Sequence, residues 1–210
     1  MLKDLFKGQW LILLTILPVF LMSSVVFAEE PVPQALIKDS SDRMQQALKD
    51  HKQAIEENPS FVYGLVDDIL LPNFDFSKMS KLALGKNWRK ASTAQRERFI
   101  GEFRLLLVRT YSTAMLEFTD GDIAFLPFRG DLAKKKVKVK MEIARSAGSS
   151  IPMSLSMYLN KQKKWMVYDV KIDGISLVTN YRSTFATEIR NDGMDKLIEN
   201  LSTRNQKVKL

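Results

Sequence analysis

Apolar residues recur every three or four positions along the first half of the chain, then every second position, then at helical spacing again. Ile37, Met44, Leu48 and Ile55 stand at such steps with charges between them, which predicts a helix over 35–58 behind a short stiff leader, Pro31-Val32-Pro33. Asn58-Pro59 breaks that helix, and Phe61 to Leu71 reads as a shorter one ending at Pro72. Asp75 is placed to cap a third helix, with Phe74 positioned to staple onto Met79 and Gly85 at its end. Ser92-Thr93-Ala94-Gln95 fits a capping box ahead of the longest helix. Its stripe is Phe99, Phe103, Leu106, Leu107, Tyr111, Ala114 and Phe118, which reads first of all as core.

After Gly121 the period falls to two. Ile123 to Phe128 reads as a strand, and Val137, Val139, Met141 and Ile143 alternate with Lys136, Lys138, Lys140 and Glu142 as a half-buried one. Ile151, Met153, Leu155, Met157 and Leu159 form a third alternation, and Trp165 to Ile172 a fourth strand; the short turns between them imply antiparallel hairpins. Gly174 and Ser176 then open a helix bearing Leu177, Val178, Tyr181, Phe185 and Ile189, ended near Gly193 and followed by a short helix with Leu197, Ile198 and Leu201. Helices, a meander and helices again predict an α+β fold, a twisted antiparallel sheet of about four or five strands packed with N-terminal and C-terminal helices.

The N-terminus reads as an address. Lys3 and Lys7 precede an apolar stretch from Trp10 to Phe27, which closes on Val26-Phe27-Ala28 before Glu29-Glu30. This is the order of a secretory signal peptide, expected to be cleaved after residue 28 and to leave a single domain over 29–210. The competing reading is an uncleaved anchor, because the stretch is near the lower limit for a bilayer span. Pro18, Ser23-Ser24 and the small residue at the end favour cleavage.

Composition narrows the chemistry. The 210 residues hold 32 Lys+Arg against 24 Asp+Glu, a net charge of +8, with one histidine and no cysteine. Zinc fingers, thiolate clusters, disulfide scaffolds, Cys–His nucleophiles and multi-histidine metal sites are therefore excluded. His51 falls on or near the apolar face of the first helix, where a packed or capping role is the ordinary one. Gly174-Ile175-Ser176 is half of a nucleophile elbow, but Val178 stands where the second glycine belongs, so Ser176 reads as an N-cap. Asp67-Asp68 and Asp75 read as helix surface or caps, and no phosphate-binding glycine loop occurs. No catalytic residue, metal or cofactor is expected.

The positive charge is local. Residues 134–171 carry a net +8, residues 29–133 a net −2 and residues 172–210 a net +1. Two readings of Lys134, Lys135, Lys136, Lys138 and Lys140 stand together: a solvated row protecting a sheet edge, or an electrostatic face for an acidic partner or anionic lipid. An exported chain meets little nucleic acid, so no such partner is expected. The other face of the sheet is expected to carry Met141, Met153, Met157 and Met166, adaptable fillers suited either to a solid core or to a cavity for an apolar ligand.

Leu71-Pro72-Asn73-Phe74-Asp75-Phe76, Met79-Ser80, Leu84-Gly85-Lys86-Asn87-Trp88, Ala91 to Arg96, Phe99, Phe103 and Thr110-Tyr111 resemble a first family signature. Trp165 to Val170, Asp173 to Val178, Asn180-Tyr181-Arg182 and Phe185 resemble a second. Over Ala35 to Leu201 the chain resembles the MlaC, or toluene-tolerance, family of periplasmic phospholipid-binding proteins. Asp173 departs from the glutamate of many members but keeps the acid. The resemblance implies a monomeric carrier in the Gram-negative periplasm with phospholipid as cargo in an apolar pocket. Its implied partners are an inner-membrane MCE-domain subunit of an ABC transporter and an outer-membrane lipoprotein–porin complex. The expected lining is Phe103, Leu107, Tyr111, Val139, Met141, Met153, Leu155, Met157, Val167, Tyr181 and Phe185. The lysine row and Arg182 are the expected head-group or partner contacts. The alternative is a ligand-free envelope adaptor that binds an acidic partner through the basic row.

Overall fold

A computed structural model describes residues 32–116, 123–144 and 149–207. The expected signal peptide, the side chain of Ala114 and all of Phe118 lie outside them. Helix α1 (Val32–Asp50) starts earlier than its apolar pattern suggests, because Pro33 falls in the first turn, where its missing N–H removes no helical bond. The helix expected to run on to residue 58 breaks at His51 (φ −107°, ψ 19°), and α2 (Lys52–Glu57) follows. His51 is exposed, its ring 5.0 Å from that of Phe61. Helix α3 (Phe61–Ile69) leads through a single 3-10 turn, Leu71–Asn73, into α4 (Phe76–Leu84).

The predicted caps form. Asp75 accepts from the Lys78 amide at 2.8 Å. Gly85, with φ +55°, ends α4 in a backbone region that favours glycine. Ahead of α5 (Thr93–Leu116) the capping box is reciprocal: Gln95 N–H donates to Ser92 Oγ at 3.1 Å, and Ser92 N–H to Gln95 Oε1 at 3.0 Å.

The sheet is antiparallel, in the order β1 (Ile123–Phe125), β2 (Lys136–Ile143), β3 (Ile151–Leu159), β4 (Trp165–Ile172) and β5 (Ile175–Ser176). β1 is shorter than the expected 123–128. One further bond, Leu126 N–H to Lys140 O at 3.0 Å, extends the pairing before Pro127 removes the next donor. Val137, Val139, Met141 and Ile143 face Met157, Leu155, Met153 and Ile151 across the ladder, so both strands turn their apolar parity inward. Lys136, Lys138 and Lys140 project from the other face and are exposed.

A bulge sets the parity of β4. Met157 pairs with Val167 but Ser156 with Asp169, leaving Tyr168 as the extra residue. Val167, Val170 and Ile172 therefore share the inner face despite their uneven spacing. β5 pairs only with the end of β4, and at Val167 the same edge is taken by Phe74, with Asp75 N–H donating to Val167 O at 2.9 Å.

Helix α6 (Leu177–Lys207) starts at the cap formed by Ser176, whose Oγ accepts from Thr179 N–H at 3.1 Å. It is interrupted at Gly193 (φ 85°, ψ 172°), where two helices were expected to meet. Phe99, Phe103, Tyr181 and Phe185 pack as an aromatic cluster between α5 and α6, with ring centroids 5.3–5.5 Å apart. The main core joins this cluster to the sheet and α4. A second apolar cluster, with Met44, Leu48, Val62, Val66 and Val108, holds α1, α2 and α3 against α5.

Candidate functional site: an apolar cavity

The two clusters do not merge everywhere, and between them lies a cavity of about 470 Å³. Its sheet wall is made by Met141 and Ile143 of β2, Ile151, Met153 and Leu155 of β3, and Val170 and Ile172 of β4. The helical wall is Ile37, Met44 and Leu48 of α1, Val66 of α3, and Leu107, Val108, Tyr111 and Ser112 of α5. Phe74, Phe76, Met79 and Leu177 also border it. The volume lies within the usual ~300–1,000 Å³ of small-molecule pockets.

No Asp, Glu, Lys, Arg or His is among the described residues of the lining. A charged ligand group inside would find no counter-charge, and burying it unpaired is costly. The polar groups present are amides and hydroxyls, most of them engaged. Ser40 Oγ donates to Leu36 O at 2.9 Å and accepts from Asn73 Nδ2 at 2.8 Å. Tyr111 is hydrogen-bonded with Tyr181, and burial above all, then this neighbour, pushes its phenol up to about 12. The site suits hydrocarbon, with a few neutral polar contacts. Among the described residues no cluster of His, Cys, Asp and Glu could hold a metal ion.

Of the eleven residues expected to line a pocket, Leu107, Tyr111, Met141, Met153 and Leu155 stand on the cavity wall. Phe103, Val139, Met157, Val167 and Phe185 lie in the solid part of the core, each fully buried, and Tyr181 packs with Phe103 and Phe185. The cavity thus occupies one end of the inner sheet face rather than its middle. The contribution of α1 and α3 escaped the sequence reading, although Ile37, Met44 and Leu48 are the very stripe that predicted the first helix.

The expected polar contacts lie elsewhere. Lys134 to Lys136, Lys138 and Lys140 are exposed, and none of them lines the cavity. Lys135 adopts a left-handed turn conformation (φ 52°) and accepts from Leu159 N–H at 3.0 Å. Arg182 Nε donates to Leu82 O at 2.7 Å beside Gly85, so it ties α6 to the end of α4.

The model of the MlaC protein family matches residues 38–203, which contain both walls of the cavity except Ile37. The chain belongs to the MlaC family. It is 27% identical over 170 residues to the toluene tolerance protein ttg2D of Pseudomonas putida, covering 80% of this chain and 78% of that protein. It is 23% identical over 194 residues, 90% of each chain, to the intermembrane phospholipid transport system binding protein MlaC of Haemophilus influenzae. A phospholipid-binding protein from Ralstonia solanacearum, solved in complex with a phospholipid, superposes with a TM-score of 0.76 at 27% identity, covering 83% of this chain and 97% of that one. MlaC membership and the α+β fold expected from the sequence thus agree.

Proposed function

We propose that this MlaC-family chain is a phospholipid carrier of the Gram-negative periplasm, with residues 1–28 as the export signal and the rest as one monomeric lipid-binding domain. The observation that carries the proposal is the 470 Å³ cavity with no charged residue in its described lining. Its physics is that of transfer through water. Each exposed methylene costs about 0.8 kcal/mol, so two chains of about sixteen carbons need roughly 20 kcal/mol of shelter. Met141, Met153 and Leu155 on the sheet and Met44 and Leu48 on α1 supply that shelter with flexible side chains that adapt to different acyl chains. The head group, already hydrated, stays at the cavity mouth, and the protein discriminates by chain more than by head group.

The phospholipid named with the Ralstonia protein and the transport system named with the Haemophilus protein support this reading. In it, the inner-membrane MCE-domain subunit of an ABC transporter and the outer-membrane lipoprotein–porin complex are the stations between which lipid moves. The exposed lysine row on β2 is the face that meets anionic lipid or an acidic docking surface. No step requires a catalytic group. Denaturing extraction of the purified chain followed by lipid mass spectrometry is expected to yield phospholipid, and donor vesicles to load the emptied protein. An empty extract together with no uptake would sink the proposal.

A further inference from the structure

Ser112 lines the cavity from α5, is 1% exposed, and its hydroxyl has no hydrogen-bond partner among the described residues. A helical serine usually bonds the carbonyl one turn back, which would be that of Val108. Here that bond is not made. A buried hydroxyl left unpaired is unfavourable, and any ligand that brings an acceptor to it is rewarded accordingly. Of the other polar side chains on the wall, Tyr111 is engaged with Tyr181, and Ser40 with Leu36 and Asn73.

The acceptor must be neutral, because no cation in the described lining would accompany an anion inward. It must also sit next to hydrocarbon, since Leu107, Val108, Met141 and Met153 share the same cavity. In a diacyl phospholipid one group meets both conditions, the carbonyl of the ester that joins each chain to glycerol. Resting on the carrier reading above, we infer that Ser112 Oγ–H donates to an acyl ester carbonyl of the cargo. The contact would set how deep the lipid sits, with the chains beyond the serine and phosphate outside. It would also make the carrier prefer ester-linked over ether-linked lipid of the same chains and head group.

The test loads the full mature chain from vesicles holding equal amounts of a diester phosphatidylethanolamine and its diether analogue, and reads the ratio bound by mass spectrometry. Wild type is expected to take the diester about tenfold over the diether, the size of one neutral buried hydrogen bond. Ser112→Ala is expected to bring the ratio close to one. Ser112→Cys keeps the volume with a weak donor and is expected to fall between them, so it decides the matter if the alanine variant does not fold. A ratio near one in wild type, or the wild-type ratio retained in the variants, overturns the inference. Absence of both lipids from wild type instead overturns the carrier reading.

Discussion

The Tyr158 hydroxyl donates a hydrogen bond to Asp75 Oδ2, while Asp75 Oδ1 accepts from the amide of Lys78. One carboxylate thus caps α4 and ties its start to the outer face of β3. The Lys78 ammonium lies 3.3 Å from the centre of the Tyr158 ring and 5.4 Å from that of Tyr168. Burial lowers the Lys78 pKa, and the Asp75 charge opposes that shift. Phe74 and Phe76, on either side of Asp75, border the cavity. The arrangement therefore pins a stretch of cavity wall to the sheet.

Asp75→Ala should lose both bonds and destabilise the fold by about 2–3 kcal/mol, the sum of a cap and a hydrogen bond to a charge. Asp75→Asn keeps an acceptor for the Lys78 amide and should cost less. Tyr158→Phe removes one of the two bonds, so about 1.5 kcal/mol is expected. Urea midpoints read at constant slope order the three variants.

Alkaline pH should weaken the fold through two phenols. Tyr158 is pushed up to about 12 by burial first and by Asp75 next, and Tyr111 reaches about 12 by burial and Tyr181. The folded chain holds both protons more tightly than the unfolded one, whose phenols titrate near 10. This stabilising contribution is full below pH 10 and is lost as pH rises toward 12. Urea unfolding between pH 8 and 12 should show stability falling in that window, with a shallower fall in Tyr158→Phe and Tyr111→Phe.

The order of elements, the caps at Asp75, Ser92 and Ser176 and the inward parity of β2 and β3 were legible because each rests on local spacing. The extent of the cavity was not, because it depends on where two apolar clusters fail to meet. Phe103 and Leu107 are one helical turn apart on the same stripe, yet Phe103 meets Phe99, Tyr181 and Phe185 while Leu107 meets open space. Nor does alternation reveal Val170 and Ile172 as wall residues. A strict period of two from Val167 would place Asp169 and Lys171 inward, and the extra residue at Tyr168 reverses that.

That division between solid core and cavity separates two kinds of substitution. Phe185→Ala empties a fully buried site held by three aromatic neighbours, and should cost about 3–5 kcal/mol. Met153→Trp adds volume where the structure has space, so the fold should persist while phospholipid recovered on extraction falls several-fold. Thermal melts and lipid mass spectrometry on the two variants should move in opposite order. A tryptophan variant that carries as much lipid as wild type would count against Met153 as part of the binding wall.

The lysine row offers the complementary case of charge without packing. Lys138 and Lys140 project outward from β2, opposite Ser156 and Ser154, and both are exposed. Reversing them in Lys138→Glu/Lys140→Glu alters only exposed side chains and should leave stability within about 0.5 kcal/mol per site. Attraction to an anionic membrane is worth about 1 kcal/mol per lysine near the surface, so the double reversal should weaken binding to phosphatidylglycerol-containing vesicles by tenfold or more. Vesicle co-sedimentation at low salt reads the difference, and raising the ionic strength should shrink it as the Debye length shortens. Because the cavity lies on the other face of the sheet, lipid already bound should stay in place in the reversed variant. Loss of the cargo along with vesicle binding would mean that the row acts on the lipid itself rather than on the surface from which it is drawn.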